Sequence, residues 1–151
     1  MRKSHTLSGW EIVFPNDTNH LGTMFGGKLM ARMDIVASIA ASKFCEMTVV
    51  TASLEAFDFK IPVKMGNRFE TIAKVVYTGN TSMVVKADVY AEDPTTNVTN
   101  HCTTAFFNMV ALDENEKPAP VPPILVETDE EKKDYALGEE IRKEALKRIG
   151  K

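Results

Sequence analysis

The sequence predicts an α+β domain in which one long central helix is wrapped by a curved antiparallel sheet, followed by a charged C-terminal helix. Three observations predict it. One helical run, residues 25–45, stands alone in the first 124 positions. Four strand-like runs with period-two alternation follow it, separated by turn signals. Pro118, Pro120, Pro122 and Pro123 then make a stiff exit before a second helical run.

The elements follow in order. Residues 9–14 alternate Trp10, Ile12 and Phe14 with Glu11 and Val13, a short first strand that Pro15-Asn16-Asp17 breaks. Residues 19–27 are a loop. The helix over 25–45 is rich in Ala and Met, and its two glycines stand at its start. Strands are expected over 48–59, 69–77, 82–91 and 99–112, with turns at Gly79-Asn80 and Asp93-Pro94. Their succession predicts a four-strand antiparallel meander. The second helix, 128–149, opens with Thr128 and Glu131 at capping-box spacing. Its apolar residues Tyr135, Leu137, Ile141, Ala145, Leu146 and Ile149 form a narrow stripe, suited to packing or assembly. The expected division is a domain over 1–124 and a helical extension over 125–151.

Composition narrows the function. A chain of 151 residues is one domain long, and a core of that size needs no staple. The net charge is −3, and its acid excess lies in 111–151, so no global field attracts nucleic acid. Cys45 and Cys102 have no metal-ligand spacing, and two cysteines suggest a reducing compartment. No apolar run is long enough to span a bilayer, and residues 1–10 lack an apolar signal core. The expected location is the cytoplasm, without membrane or nucleic-acid partners. No zinc motif, dinucleotide-binding glycine pattern or P-loop is present, so no cofactor or metal is expected.

The most informative residue is Asp34. At about 100° per residue it shares a helix face with Gly27, Met30, Ala37, Ser38, Ala41 and Cys45, while Lys28, Arg32 and Lys43 project elsewhere. That small, apolar face is the one expected to pack inward. A carboxylate there needs compensation, from chemistry or from a hydrogen-bond network. Asn19, in the loop before the helix, is either a turn residue or a donor to a carbonyl oxygen.

The run Asp17-Thr18-Asn19-His20-x-Gly22-Thr23-x-Phe25-Gly26-Gly27, followed by Leu29 and Met33-Asp34, resembles the hot-dog acyl-CoA thioesterases of the YciA/YkhA and brain acyl-CoA hydrolase type. Further matches are Val50-Thr51, Asp58-Phe59, Pro62-Val63, Gly66, Gly79-x-Thr81-Ser82-Met83, Ala105-Phe106-Phe107, Ala111-Leu112-Asp113 and Val121-Pro122, so the resemblance spans about residues 8–124. It implies the hot-dog fold and hydrolysis of acyl-CoA, with coenzyme A as part of substrate and product. It also implies a catalytic pair, Asn19 from one subunit and Asp34 from its dimer partner. One departure stands at Asn80, where the family often has Arg.

Around that pair the residues suggest roles. Asp34 can serve as general base toward water or as nucleophile. Gly26 and Gly27 open the helix, where free N–H groups suit an oxyanion, or they simply allow close backbone packing. Thr51 and Ser53 share a strand face by period two, and one of them can bond Asp34. His20 fits a loop or binding role better than that of a base. Lys60, Lys64, Arg68 and Lys86 are candidates for coenzyme A phosphates, with Thr81 and Ser82 bonding phosphate in the turn. Met30 and Met33 are candidates for lining an acyl tunnel.

Two other functions compete: a hot-dog dehydratase, which would use a His with an acid, and a non-catalytic acyl-CoA sensor. A hot-dog monomer leaves a sheet edge open, so a homodimer is the expected minimum and a trimer of dimers the expected assembly.

Overall fold

The computed structural model describes residues 1–150, with backbone alone at Ala56. In chain order it contains β1 (Arg2–Lys3), β2 (Leu7–Ile12), a 3-10 turn (Pro15–Asp17), α1 (Gly26–Cys45), β3 (Thr48–Phe59), β4 (Arg68–Thr78), β5 (Ser82–Glu92), β6 (Thr99–Leu112), β7 (Ile124–Leu125) and α2 (Asp129–Arg148). Five strands make one antiparallel sheet in the order β2-β4-β5-β6-β3, and β1 pairs in parallel with β7. The boundary expected after residue 124 therefore falls inside β7.

This order corrects the expected meander. Strands β4, β5 and β6 do form one, but β3 lies at the far edge and pairs with β6, not β4. The cause lies in residues 60–67, which are too many for a tight hairpin. That connection runs past the start of α1, where Met24 N–H donates to the Val63 carbonyl at 2.7 Å and Met65 N–H to that of Gly22 at 2.9 Å. The β3–β4 link is thus a crossover beside the helix N-terminus.

Helix α1 packs on the inner sheet face through Leu29, Met33, Ala37, Ala40, Ala41 and Phe44. Opposite it, Ala73, Ala87 and Ala105 are cross-strand partners in a single row. Small residues on both surfaces let the helix approach closely, and flanking Val85, Phe107 and Met109 close the core. Met33 is wholly buried there and fills core volume. In the first strand the alternation is real but faces outward: Trp10, Ile12 and Phe14 are exposed, whereas Val13 is buried.

Helix α2 lies on the outer sheet face. Its capping box is formed, Glu131 N–H donating to Thr128 Oγ1 at 3.0 Å and Thr128 N–H to Glu131 Oε1 at 3.1 Å. The buried line is Asp134, Gly138, Ile141 and Ala145, while Leu137 and Ile149 are exposed. Neither helix is long and apolar enough to cross a membrane.

Candidate active site

The loop entering α1 is built around two polar side chains. Asp17 is buried, and its Oδ2 accepts from Phe14 N–H at 3.0 Å. That backbone bond, aided by Lys28 and Arg32, holds its carboxyl below the usual carboxylate range against the opposing effect of burial. Lys28 Nζ stands 3.5 Å and Arg32 Nη2 3.6 Å from Asp17 Oδ1. The backbone carbonyl of Asp17 receives Phe25 N–H at 2.9 Å, so this residue fixes where the helix begins.

Asn19 organises the next turn. Its Oδ1 accepts from Leu21 N–H at 2.9 Å and from Thr23 N–H at 3.2 Å, and its Nδ2 donates to Thr23 Oγ1 at 2.9 Å. Gly22, with φ of +77°, supplies the left-handed step that the turn needs. In a single chain Asn19 is thus a turn residue. His20 is exposed, and its ring has no hydrogen-bond partner among the described residues.

The start of α1 is open. Phe25 provides no side-chain cap, and neither Gly26 nor Gly27 N–H finds an acceptor among the described residues. A cavity of about 240 Å³ adjoins this end, lined by Thr23, Met24, Gly26, Leu29, Phe59, Pro62 and Val63. Two unpaired N–H groups at a helix N-terminus beside an apolar cavity can receive a carbonyl oxygen as it gains negative charge. The Phe59 ring covers Gly26: a Cβ at Gly26 would meet Phe59 Cζ at 2.7 Å. A Cβ at Gly27 would meet nothing within 4 Å.

Asp34 differs from expectation in its setting. It lies on the flank of α1 toward β3 and is only half-buried, because the centre of the packed face runs through Met33, Ala37, Ala40 and Phe44. Thr51 Oγ1 donates to Asp34 Oδ1 at 2.7 Å, leaving Oδ2 available. Thr51 and Ser53 do not share a face. The β3–β6 register shifts between them, so Thr51 faces α1 while Ser53 pairs with Asn108 on the other side.

These parts do not meet within one chain. Asp34 lies eight residues along α1 from Gly26, about 12 Å at 1.5 Å per residue, and no bond joins Asp34 to Asn19 among the described residues. The cation candidates divide. Lys60 and Lys64 are exposed on the crossover without an anionic partner within ion-pair distance among the described residues. Arg68 is held by Glu92 and donates to Asn97 Oδ1. Lys86 lies on the outer face, 3.2 Å from Asp134 of α2, so it is already paired and turned away from α1. Ser82 is buried at the β4–β5 turn, where its carbonyl accepts Gly79 N–H; Thr81 is half-buried, its carbonyl accepting Ala111 N–H. Sequence reasoning missed Asp17 as the anchor of the loop and Phe59 as the cover of Gly26. Lys28 and Arg32, one turn apart on the helix that follows Asp17, were the available signal for the first.

Comparison with known proteins decides the family. The pattern described as the Thioesterase superfamily matches residues 21–98. The chain belongs to that superfamily. It is 42% identical over 119 residues to the uncharacterised acyl-CoA thioester hydrolase YkhA of Bacillus subtilis, covering 79% of this chain and 69% of that one. An apo-hexameric acyl-CoA thioesterase structure superposes with a TM-score of 0.90 at 39% identity, over 96% of this chain and 93% of that one. An acyl-CoA hydrolase from Staphylococcus aureus, solved with butyryl coenzyme A and coenzyme A, gives 0.86 at 37% identity, over 95% and 88%. That enzyme has also been solved as three alanine variants, of an Asn, an Asp fifteen positions later and a Thr seventeen beyond the Asp. The hot-dog architecture is thereby established for this chain.

Proposed function

We propose that this thioesterase hydrolyses acyl-CoA to a carboxylic acid and coenzyme A, at a site assembled from two subunits. One contributes Asn19 and the open start of α1, and the other contributes Asp34 with Thr51. The observation that carries the reading is the separation within one chain: an unpaired helix N-terminus beside an apolar cavity, and a carboxylate about 12 Å further along the same helix. Neither half suffices alone, and the long unpaired edge of β3 offers the place for a second copy. The spacings Asn19–Asp34 and Asp34–Thr51 equal those of the three residues varied in the Staphylococcus aureus enzyme.

In this reading the thioester carbonyl oxygen points at Gly26 and Gly27 N–H, with Asn19 Nδ2 as a further donor. Asp34 Oδ2 removes a proton from water, whose oxygen attacks the carbonyl carbon. The oxyanion collapses, the carbon–sulfur bond breaks, and the coenzyme A thiolate leaves with the proton that Asp34 took from the water, which restores the carboxylate. Thr51 holds Oδ1 and so directs Oδ2 toward the water. Lys60 and Lys64 meet the coenzyme A phosphates. The reaction as written needs no cofactor, and a trimer of dimers is the assembly we infer from the likeness to a hexameric thioesterase.

The test is thiol release from acyl-CoA by wild type, Asn19→Ala, Asp34→Asn and Asp34→Ala. Loss of a general base lowers kcat by about 10² or more. Mixing Asn19→Ala with Asp34→Ala subunits should restore about a quarter of wild-type activity, because half of randomly exchanged dimers carry one intact site. Confirmed exchange without recovery would exclude the shared site.

A further inference from the structure

Strand β3 carries Thr51, and its ladder is the most interrupted of the sheet. It is an edge strand with β6 as its one neighbour, and its register shifts twice, between Thr51 and Ser53 and between Glu55 and Asp58. The interrupted stretch is the part of β3 that its β6 ladder specifies least, whether or not a second copy lies along the other edge. The short segment Ser53–Glu55 between the irregularities is held on the outer face. Asn108 Nδ2 donates to Ser53 Oγ at 2.9 Å, and Arg148 of α2 forms an ion pair and hydrogen bond with Glu55.

The outer face explains how α2 reaches that segment. Lys74, Lys86, Phe106 and Glu55 are successive cross-strand partners, one row across β4, β5, β6 and β3. Helix α2 follows the row with residues seven apart, which share one side of a helix. Asp134 stands 3.6 Å from Lys74 and 3.2 Å from Lys86. Ile141 packs in a cluster with Phe106, Val84 and Val76. Arg148 ends on Glu55. Fourteen residues of helix rise about 21 Å, against about 14 Å across four strands; an oblique crossing and the long Lys and Arg side chains take up the difference. Gly138 lets the helix lie close, since a Cβ there would meet Tyr77 Cβ at 2.8 Å. The Asp134 carboxylate is only 6% exposed, so it is fixed by its two lysines at one end. The Arg148 end lies at the edge that carries the catalytic strand.

We propose that α2 is a strap whose Arg148–Glu55 clasp sets the register of β3 and thereby aims the Thr51 hydroxyl at Asp34. Arg148 and Glu55 are positioning residues, acting through β3, and the functional half of the proposal rests on Asp34 and Thr51 being part of the active site.

The experiment compares full-length wild type, Arg148→Ala, Arg148→Glu, Glu55→Arg and the double exchange Arg148→Glu with Glu55→Arg. Two quantities are read: kcat and KM on an acyl-CoA panel, and amide hydrogen exchange of Ser53–Phe57. The single variants should speed exchange in that segment while α1 stays protected. They should lower kcat about tenfold with KM within about twofold, and the double exchange should recover most of kcat. Unchanged exchange in Arg148→Ala would overturn the clasp. Faster exchange with unchanged kcat would overturn the positioning role. Asp34→Asn runs alongside: full turnover in that variant would overturn the catalytic reading instead, and the exchange arm would still decide whether α2 holds β3.

Discussion

Gly26 is glycine for a reason visible only in three dimensions. Its missing Cβ leaves room for Phe59, whose ring lies over the first turn of α1 beside the cavity. Gly26→Ala should therefore displace the ring, which is half exposed and can swing outward, instead of breaking the fold. The expected outcome is kcat/KM on acyl-CoA down about tenfold or more, with Tm lowered by no more than about 4 °C. Unchanged kcat/KM would remove this helix start from the site. The residue scale also shows what a sequence can and cannot tell about a site. Asn19 and Asp34 stand out in the sequence as a loop Asn and a helix Asp, and it is the family resemblance that joins them as a proposed pair. The setting of Asp34 was not legible. A helical wheel orders residues around an axis, but it does not say which neighbour each side meets. Asp34 sits about 100° from Met33, enough to move it from the packed centre to the flank where Thr51 waits. Cys45 and Cys102 are buried, with burial pushing both thiols up, which fits packing and not chemistry.

Elements were legible in extent and less so in arrangement. Both ends of α1 and of β3 through β6 fall within one or two residues of those expected, since proline, glycine and alternation mark them. The strand order depended on the eight-residue link 60–67, and its length was the clue that β3 does not fold back onto β4. Helix α2 escaped for a different reason. An apolar stripe was sought, yet its buried line includes Asp134 and Gly138, which no hydropathy pattern selects. Gly138 gives the element-scale prediction. A methyl group there would stand 2.8 Å from Tyr77 Cβ and 3.2 Å from Val76 Cγ2, atoms close to the backbone that cannot swing aside. Overpacking of this kind costs about 1–3 kcal/mol, and the better helix propensity of Ala returns about 1. Gly138→Ala should thus be neutral to destabilising by about 2 kcal/mol in urea unfolding, with Ala136→Gly, on an exposed position of the same helix, as the control for propensity alone. A clearly stabilised Gly138→Ala would show that α2 does not lie against β4.

At the scale of the whole molecule, charge and exposed apolar surface each make a demand. Asp17, Glu92, Asp93 and Glu131 all have carboxyls held below their ordinary values, chiefly by hydrogen bonds: Phe14 N–H for Asp17, Arg68 for Glu92, Thr95 for Asp93 and Thr128 for Glu131. A lowered carboxyl stabilises the fold fully above its unfolded value, 3.8 for Asp and 4.5 for Glu here, and that stabilisation is lost as pH falls through the lower folded value. Urea midpoints should therefore hold steady from pH 7 to about 5 and fall below about 4. Asp17→Asn should lower the plateau and flatten the fall, and a fall as steep as wild type would separate Asp17 from acid stability. The apolar surface makes the second demand. Ile35 is 57% and Val50 45% exposed on α1 and β3, beside an unpaired edge twelve residues long. A solvated chain would leave that edge as a template for another strand, and the shared site we propose needs a partner there. Val50→Lys places a charge on the edge without touching the core of the chain. The expected product is a folded monomer by sedimentation and circular dichroism, with thiol release reduced by about 10² or more, because in the two-subunit reading Asn19 and Asp34 that act on one thioester come from different chains. A folded monomer that retained wild-type turnover would place the whole site within one chain and end the two-subunit reading.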